Sequence, residues 1–135
     1  MIEIYAAGNE NFDNNGDMTL TPSECLINAN INADWTLSLK HPIDDWGRWK
    51  YIQPGAVIKA NSFNGYQLFR IYITDKTETE VTASAFPVFL DAANEVFIVD
   101  KRPTKVDGQS ALNQIFDGTK YTGKSDIVLT NTAYY

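Results

Sequence analysis

Cys25 and His41 are the first side chains to weigh, because a thiol beside an imidazole can make an activated nucleophile. They are the only Cys and the only His in the chain. Cys25 lies in an apolar run, Cys25-Leu26-Ile27, where a free Cys is often simply buried. His41 precedes Pro42, where a strand is expected to end and a surface or capping role is common. Neither residue sits in a catalytic sequence context. A second cluster, Asn11-x-Asp13-x-Asn15-Gly16-Asp17, places oxygen side chains at alternate positions before a Gly, as a calcium loop requires. Its twelfth position is Pro22 instead of Glu, and an Asx-rich turn accounts for the same residues. A third group joins Asp44 and Asp45 to Trp46, Trp49 and Tyr51. Acids beside tryptophans occur in sugar-cleaving sites, but neighbouring acids on a turn point their side chains apart. The aromatics Trp46, Trp49 and Tyr51 remain as a possible interaction surface. They fit a sugar-stacking platform, and they fit core or subunit-contact aromatics better. No Gly-rich phosphate loop is present. One Cys and one His exclude cysteine-built zinc sites. No catalytic residue, metal ligand or cofactor is assigned, and the chain is expected not to be an enzyme.

The elements that must position these residues are short. The chain has 135 residues, 44% hydrophobic and 21% charged, with a net charge of −6, which fits one soluble globular core. Aromatics make up 13%. The acidic balance, with no basic patch visible along the sequence, argues against nucleic acid and anionic membrane surfaces. No apolar run approaches the about 20 residues that span a bilayer. Met-Ile-Glu-Ile-Tyr lacks the basic start of a signal peptide, so synthesis and retention in the cytosol are expected. The ending Tyr134-Tyr135, without a polar tail, suggests a cut through a longer polypeptide, with a natural end as the alternative.

The clearest structural signal is a hairpin. Val57–Ala60 and Tyr66–Thr74 are β-rich and flank Asn64-Gly65, which suits a two-residue type I′ turn. In the second run Phe69, Ile71 and Ile73 share the face that should meet the core, with Leu68, Arg70, Tyr72 and Thr74 opposite. Ile2–Tyr5, Cys25–Ile31, Trp35–Lys40, Glu80–Ala85, Glu95–Asp100 and Asp126–Leu129 also read as strands. Asp44–Tyr51 predicts a helical turn. Phe86, Phe89, Leu90 and Ala93 predict a short helix with Pro87 in its first turn. Asp107 predicts an N-cap for a helix over 108–117, with Ala111, Leu112, Ile115 and Phe116 on one stripe and Gly118 at its end. About eight short strands and one or two short helices predict a mainly β fold, a small barrel or sandwich of antiparallel strands. Arg102-Pro103 is the candidate domain boundary.

Taken in order, these features resemble the N-terminal part of the tail-associated lysin, or "prophage endopeptidase tail", proteins of siphophages that infect Gram-positive bacteria. The series runs from the opening strand and its polar turn (Ile2–Asp17) to Leu39-Lys40-His41-Pro42, then Trp46–Tyr51. Gly55-Ala56-Val57-Ile58-Lys59-Ala60 follows. Gln67-Leu68-Phe69-Arg70-Ile71-Tyr72 is the most family-like string. Val81–Ala85, Arg102-Pro103 and Gly108–Phe116 complete it. The resemblance implies a fold similar to phage baseplate hub domains, with a first β-rich domain over residues 1–100 and the start of a truncated next one over 101–135. It implies a homotrimer below the tail tube in the virion tail, joined to the distal tail protein and the tape-measure protein. The hydrolase activity named in the family lies in C-terminal regions that some members carry, so no catalytic residue is carried over. The alternative is a carbohydrate-binding module that recognises cell-wall glycan through Trp46, Trp49 and Tyr51.

Overall fold

The structure, a computed structural model, describes residues 1–63, 65–95, 98 and 100–125. The chain divides into two compact units, Met1–Asp91 and Ala92–Tyr135. The first is mainly β, an open sheet curled into a half-barrel, with short helical pieces. Its strands are β1 (Ile2–Tyr5), β2 (Met18–Leu20), β3 (Glu24–Ala29), β4 (Trp35–Pro42), β5 (Val57–Ser62), β6 (Gly65–Lys76) and β7 (Glu80–Pro87). All pairings are antiparallel, in the order β2-β1-β5-β6-β7-β4-β3.

This order explains the curl. The edge strands β2 and β3 are consecutive in sequence, joined by Thr21-Pro22-Ser23. Four residue steps reach at most about 14 Å. A flat sheet of seven strands separates its edges by about 29 Å. The sheet therefore bends until its two edges approach at this end. Pro22 has no N–H to give to a ladder, and no β2–β3 pairing closes the ring.

Alternation in the sequence fills the concave face. Leu37, Leu39 and His41 from β4 meet Ala85, Ala83 and Val81 of β7 in register. Ile4, Ile58, Phe69 and Ile71 continue the layer. Small residues (Ala60, Ala83, Ala85) lie among large ones on the curled face.

Several expectations are corrected. The β5–β6 hairpin forms, but Ser62 pairs with Gly65, so Gly65 is a strand residue with φ +91° and not a central turn residue; residue 64 lies outside the described residues. Ile73 is 56% exposed, not in the core. A β-bulge between Ile71 and Ile73 shifts the register by one, so Ile73 faces Ser84 while Thr74 and Lys76 face Ala83 and Val81. One extra residue reverses every later side chain. Strand β4 runs through Pro42, and His41 is fully buried, not at the surface. Phe86 and Pro87 belong to β7. The helical segment begins later, as a 3-10 turn Val88–Leu90 followed by α1 (Asp91–Glu95). Glu95 closes that helix instead of opening a strand, and residues 96, 97 and 99 of the strand expected over 95–100 lie outside the described residues. The strand expected at Asp126–Leu129 also lies outside them.

In the second unit α2 (Gly108–Phe116) forms as its cap predicts. Asp107 Oδ1 accepts from the Ser110 N–H at 2.7 Å. The Gln109 amide pins the returning chain, donating to Gly123 O at 2.8 Å and accepting from Ser125 N–H at 2.9 Å. Gly123 fits there because an added Cβ would lie 3.0 Å from Leu112 Cδ1.

Candidate interaction surface

The connector after β4 carries the aromatic group. Gly47 has φ +72°, a left-handed value that Gly adopts without strain. It turns the chain into a 3-10 turn, Arg48–Tyr51. Asp44 fixes that turn from both ends of its residue. Its carboxylate accepts from Arg48 N–H at 3.3 Å, and its carbonyl accepts from Trp49 Nε1–H at 3.2 Å. Asp44 therefore holds the turn through both its carboxylate and its carbonyl.

The three aromatics do not form one flat platform. Trp49 and Tyr51 pack against the core. Trp46 stands in solvent, 80% exposed. Cations lie over the rings. Lys76 Nζ is 4.2 Å from the Trp49 ring centre and Lys50 Nζ is 5.8 Å from it. Arg48 Cζ is 5.9 Å from the Trp46 ring centre. These are cation–π distances. Lys76 arrives there because of the β6 bulge, which turns it onto the concave side opposite Val81. The connector is tied to the β6–β7 turn by Ile43 N–H donating to Thr79 O at 2.9 Å. The turn itself is held by Thr77 Oγ1, which accepts from Glu80 N–H at 3.1 Å. Ile43, Lys76, Thr77 and Glu78 line a shallow depression beside it.

None of Arg48, Lys50 and Lys76 has a carboxylate within ion-pair distance among the described residues. Thus three of the eleven Lys and Arg gather, without carboxylate partners, on an acidic protein. Sequence reading singled out the aromatics and missed these cations. The alternation Trp46-x-Arg48-Trp49-Lys50-Tyr51 carried a signal for two of them. Lys76 had none, because only the bulge brings it over.

The other candidates have structural partners. Cys25 and His41 both face the concave side, on β3 and β4, where Cys25 is directly opposite Leu39. His41 uses both ring nitrogens on backbone. Nε2 accepts from Thr21 N–H at 3.2 Å, and Nδ1–H donates to Pro42 O at 2.7 Å. That leaves no ring nitrogen to activate the thiol. Burial pushes the Cys25 thiol pKa up, which disfavours the thiolate. In the Asn11–Asp17 loop two of the side-chain oxygens cap backbone. Asn11 Oδ1 accepts from Asp13 N–H at 3.0 Å and Asp17 Oδ2 from Ala6 N–H at 2.7 Å. Gly16 lies so close to β1 that an added Cβ would be 2.8 Å from Glu3 Cβ.

A second exposed group was not singled out from sequence. Trp35 at the start of β4 contacts Phe63 at the β5–β6 turn and Phe89 after β7, with ring centres 5.1 and 5.9 Å apart. Phe63 is 70% exposed. No family model, curated protein or solved structure matches the chain.

Proposed function

We propose that this chain is an assembly domain, a phage or prophage tail-hub protein similar to the N-terminal part of the tail-associated lysins. In this reading it works below the tail tube and joins it to the host-facing fibre or lysin. Its partners are further copies of itself in a trimer, the distal tail protein and the tape-measure protein. The reading rests first on the ordered resemblance from Ile2 to Phe116. The observation that carries it is the distribution of large apolar side chains left in solvent on the first unit. Trp46, Phe63, Tyr66, Ile73 and Leu26 are all more than half exposed. Leu26 also lies on β3, an edge strand with one side unpaired, which offers a ladder to another chain. The half-barrel is then the counterpart of the small β domains from which hubs are built.

The glycan-binding alternative has less support. It needs the open faces of Trp46, Trp49 and Tyr51, yet Tyr51 packs inward and Lys76 covers Trp49. The test of the assembly reading is the solution mass by light scattering. A mass near three times 15.2 kDa is the expected result, and a monomer at high concentration opposes it.

A further inference from the structure

We infer that the shelf built from Trp46, Arg48, Trp49, Lys50 and Lys76 is a docking surface for an acidic polypeptide segment of a partner protein. The inference deepens the assembly reading by giving the chemistry of one partner, and its test is independent of the oligomeric state.

Charge complementarity selects the occupant. The chain carries a net charge of −6, so an acidic partner is repelled by the molecule as a whole. A local cluster of unneutralised cations is where such a partner can approach. Lys50 and Lys76 share the Trp49 ring and Arg48 lies over Trp46 on the same connector, and among the described residues no carboxylate lies within ion-pair distance of any of the three. Lys50 and Lys76 lie against the Trp49 ring, and Arg48 lies against Trp46 and donates from Nη1 to Thr21 Oγ1 at 3.1 Å. A ring fixes the position of an ammonium group while leaving its full positive charge. Lys76 at 4.2 Å over Trp49 is the clearest case.

The neighbouring apolar surface favours a polypeptide over a polysaccharide. Trp46 projects beside Arg48 with most of its indole in water. Tryptophan with arginine is the combination enriched at protein–protein contacts. A glycan would need free ring faces for stacking, and cations cover those of Trp49. The support beneath the shelf is held by hydrogen bonds and core packing. Asp44 fixes the 3-10 turn, Trp49 is anchored on the core, and Ile43 binds the connector to the β6–β7 turn. The bulge in β6 gives this arrangement a use. Without it Lys76 would point to the convex side, and the cluster would lose the ammonium closest to Trp49.

The test is the anisotropy of fluorescently labelled poly-L-glutamate titrated with the full chain. Unlabelled polygalacturonate of matched charge serves as the carbohydrate competitor. Binding to the polypeptide is expected, and it weakens as salt rises. The double variant Lys50→Glu/Lys76→Glu is expected to bind at least about tenfold more weakly. The milder Lys50→Gln/Lys76→Gln gives a partial loss and guards against a folding defect, with an unchanged thermal melt as the check. Three results overturn the inference: no binding of poly-L-glutamate by the unmodified chain, undiminished binding by either folded variant, or tighter binding of polygalacturonate, which would assign the shelf to an anionic glycan. A monomeric mass with intact poly-L-glutamate binding would remove the hub reading and leave the acidic-partner site standing.

Discussion

His41 illustrates how a residue that looks chemical from sequence is structural in the fold. Its imidazole accepts from Thr21 and donates to Pro42, and so ties β4 to the segment that crosses between the sheet edges. His41→Phe keeps much of the volume but strands the Thr21 N–H and the Pro42 carbonyl in a part-buried place. Such losses cost about 1–3 kcal/mol each when desolvated. The urea midpoint is expected to fall accordingly, and an unchanged midpoint would refute the latch. Cys25 gives a pH-dependent counterpart. Burial raises its folded pKa, so its contribution to stability is complete below the unfolded thiol pKa. It declines as pH rises past that value, because the unfolded chain then ionises first. Thiol labelling at mildly alkaline pH is expected to be slower for the native protein than for the urea-unfolded chain, with equal rates as the contrary result.

The strands were legible where side chains alternate. Trp35 to Lys40 and Glu80 to Ala85 show their inner faces in the sequence, and both register and burial follow that pattern. The sequence was silent where one residue breaks the period. The β6 bulge moves Ile73 outward and Lys76 inward, and nothing local in Ile71-Tyr72-Ile73 announces it. The same limit explains the interaction surface. Trp46, Trp49 and Tyr51 were visible as residue types, but their division into one exposed ring and two anchored rings depends on packing against the core. Pro87 suits a helix start locally, but pairing with Phe69 keeps it in β7. The α2 helix was legible throughout, because cap and stripe are local signals. Hydrogen bonds from Ser110 lower the Asp107 carboxyl pKa. The cap is therefore present above the ordinary carboxylate pKa and is lost as pH falls through the lowered folded value. In an acid titration followed by NMR, the Ser110 amide is expected to shift only below the ordinary carboxylate range. A shift at the usual Asp pKa would contradict that bond.

At the scale of the molecule, topology makes the chemistry of contact. A three-residue link between the two edge strands forces a seven-stranded sheet to curl. The curl gathers a full core on the concave side and leaves aromatics at the rim and on the connector. β3 keeps one unpaired side, and an edge of this kind is stable in solution when another chain or a local device protects it. Self-association would bury these features, and a closed ring would do so without an endless filament. The most direct measurement is the light-scattering mass of the 135-residue chain across a concentration series. The account predicts a mass that rises to a plateau near three times 15.2 kDa. A mass that stays at 15.2 kDa up to the highest concentration would contradict the claim that these surfaces join copies of the chain.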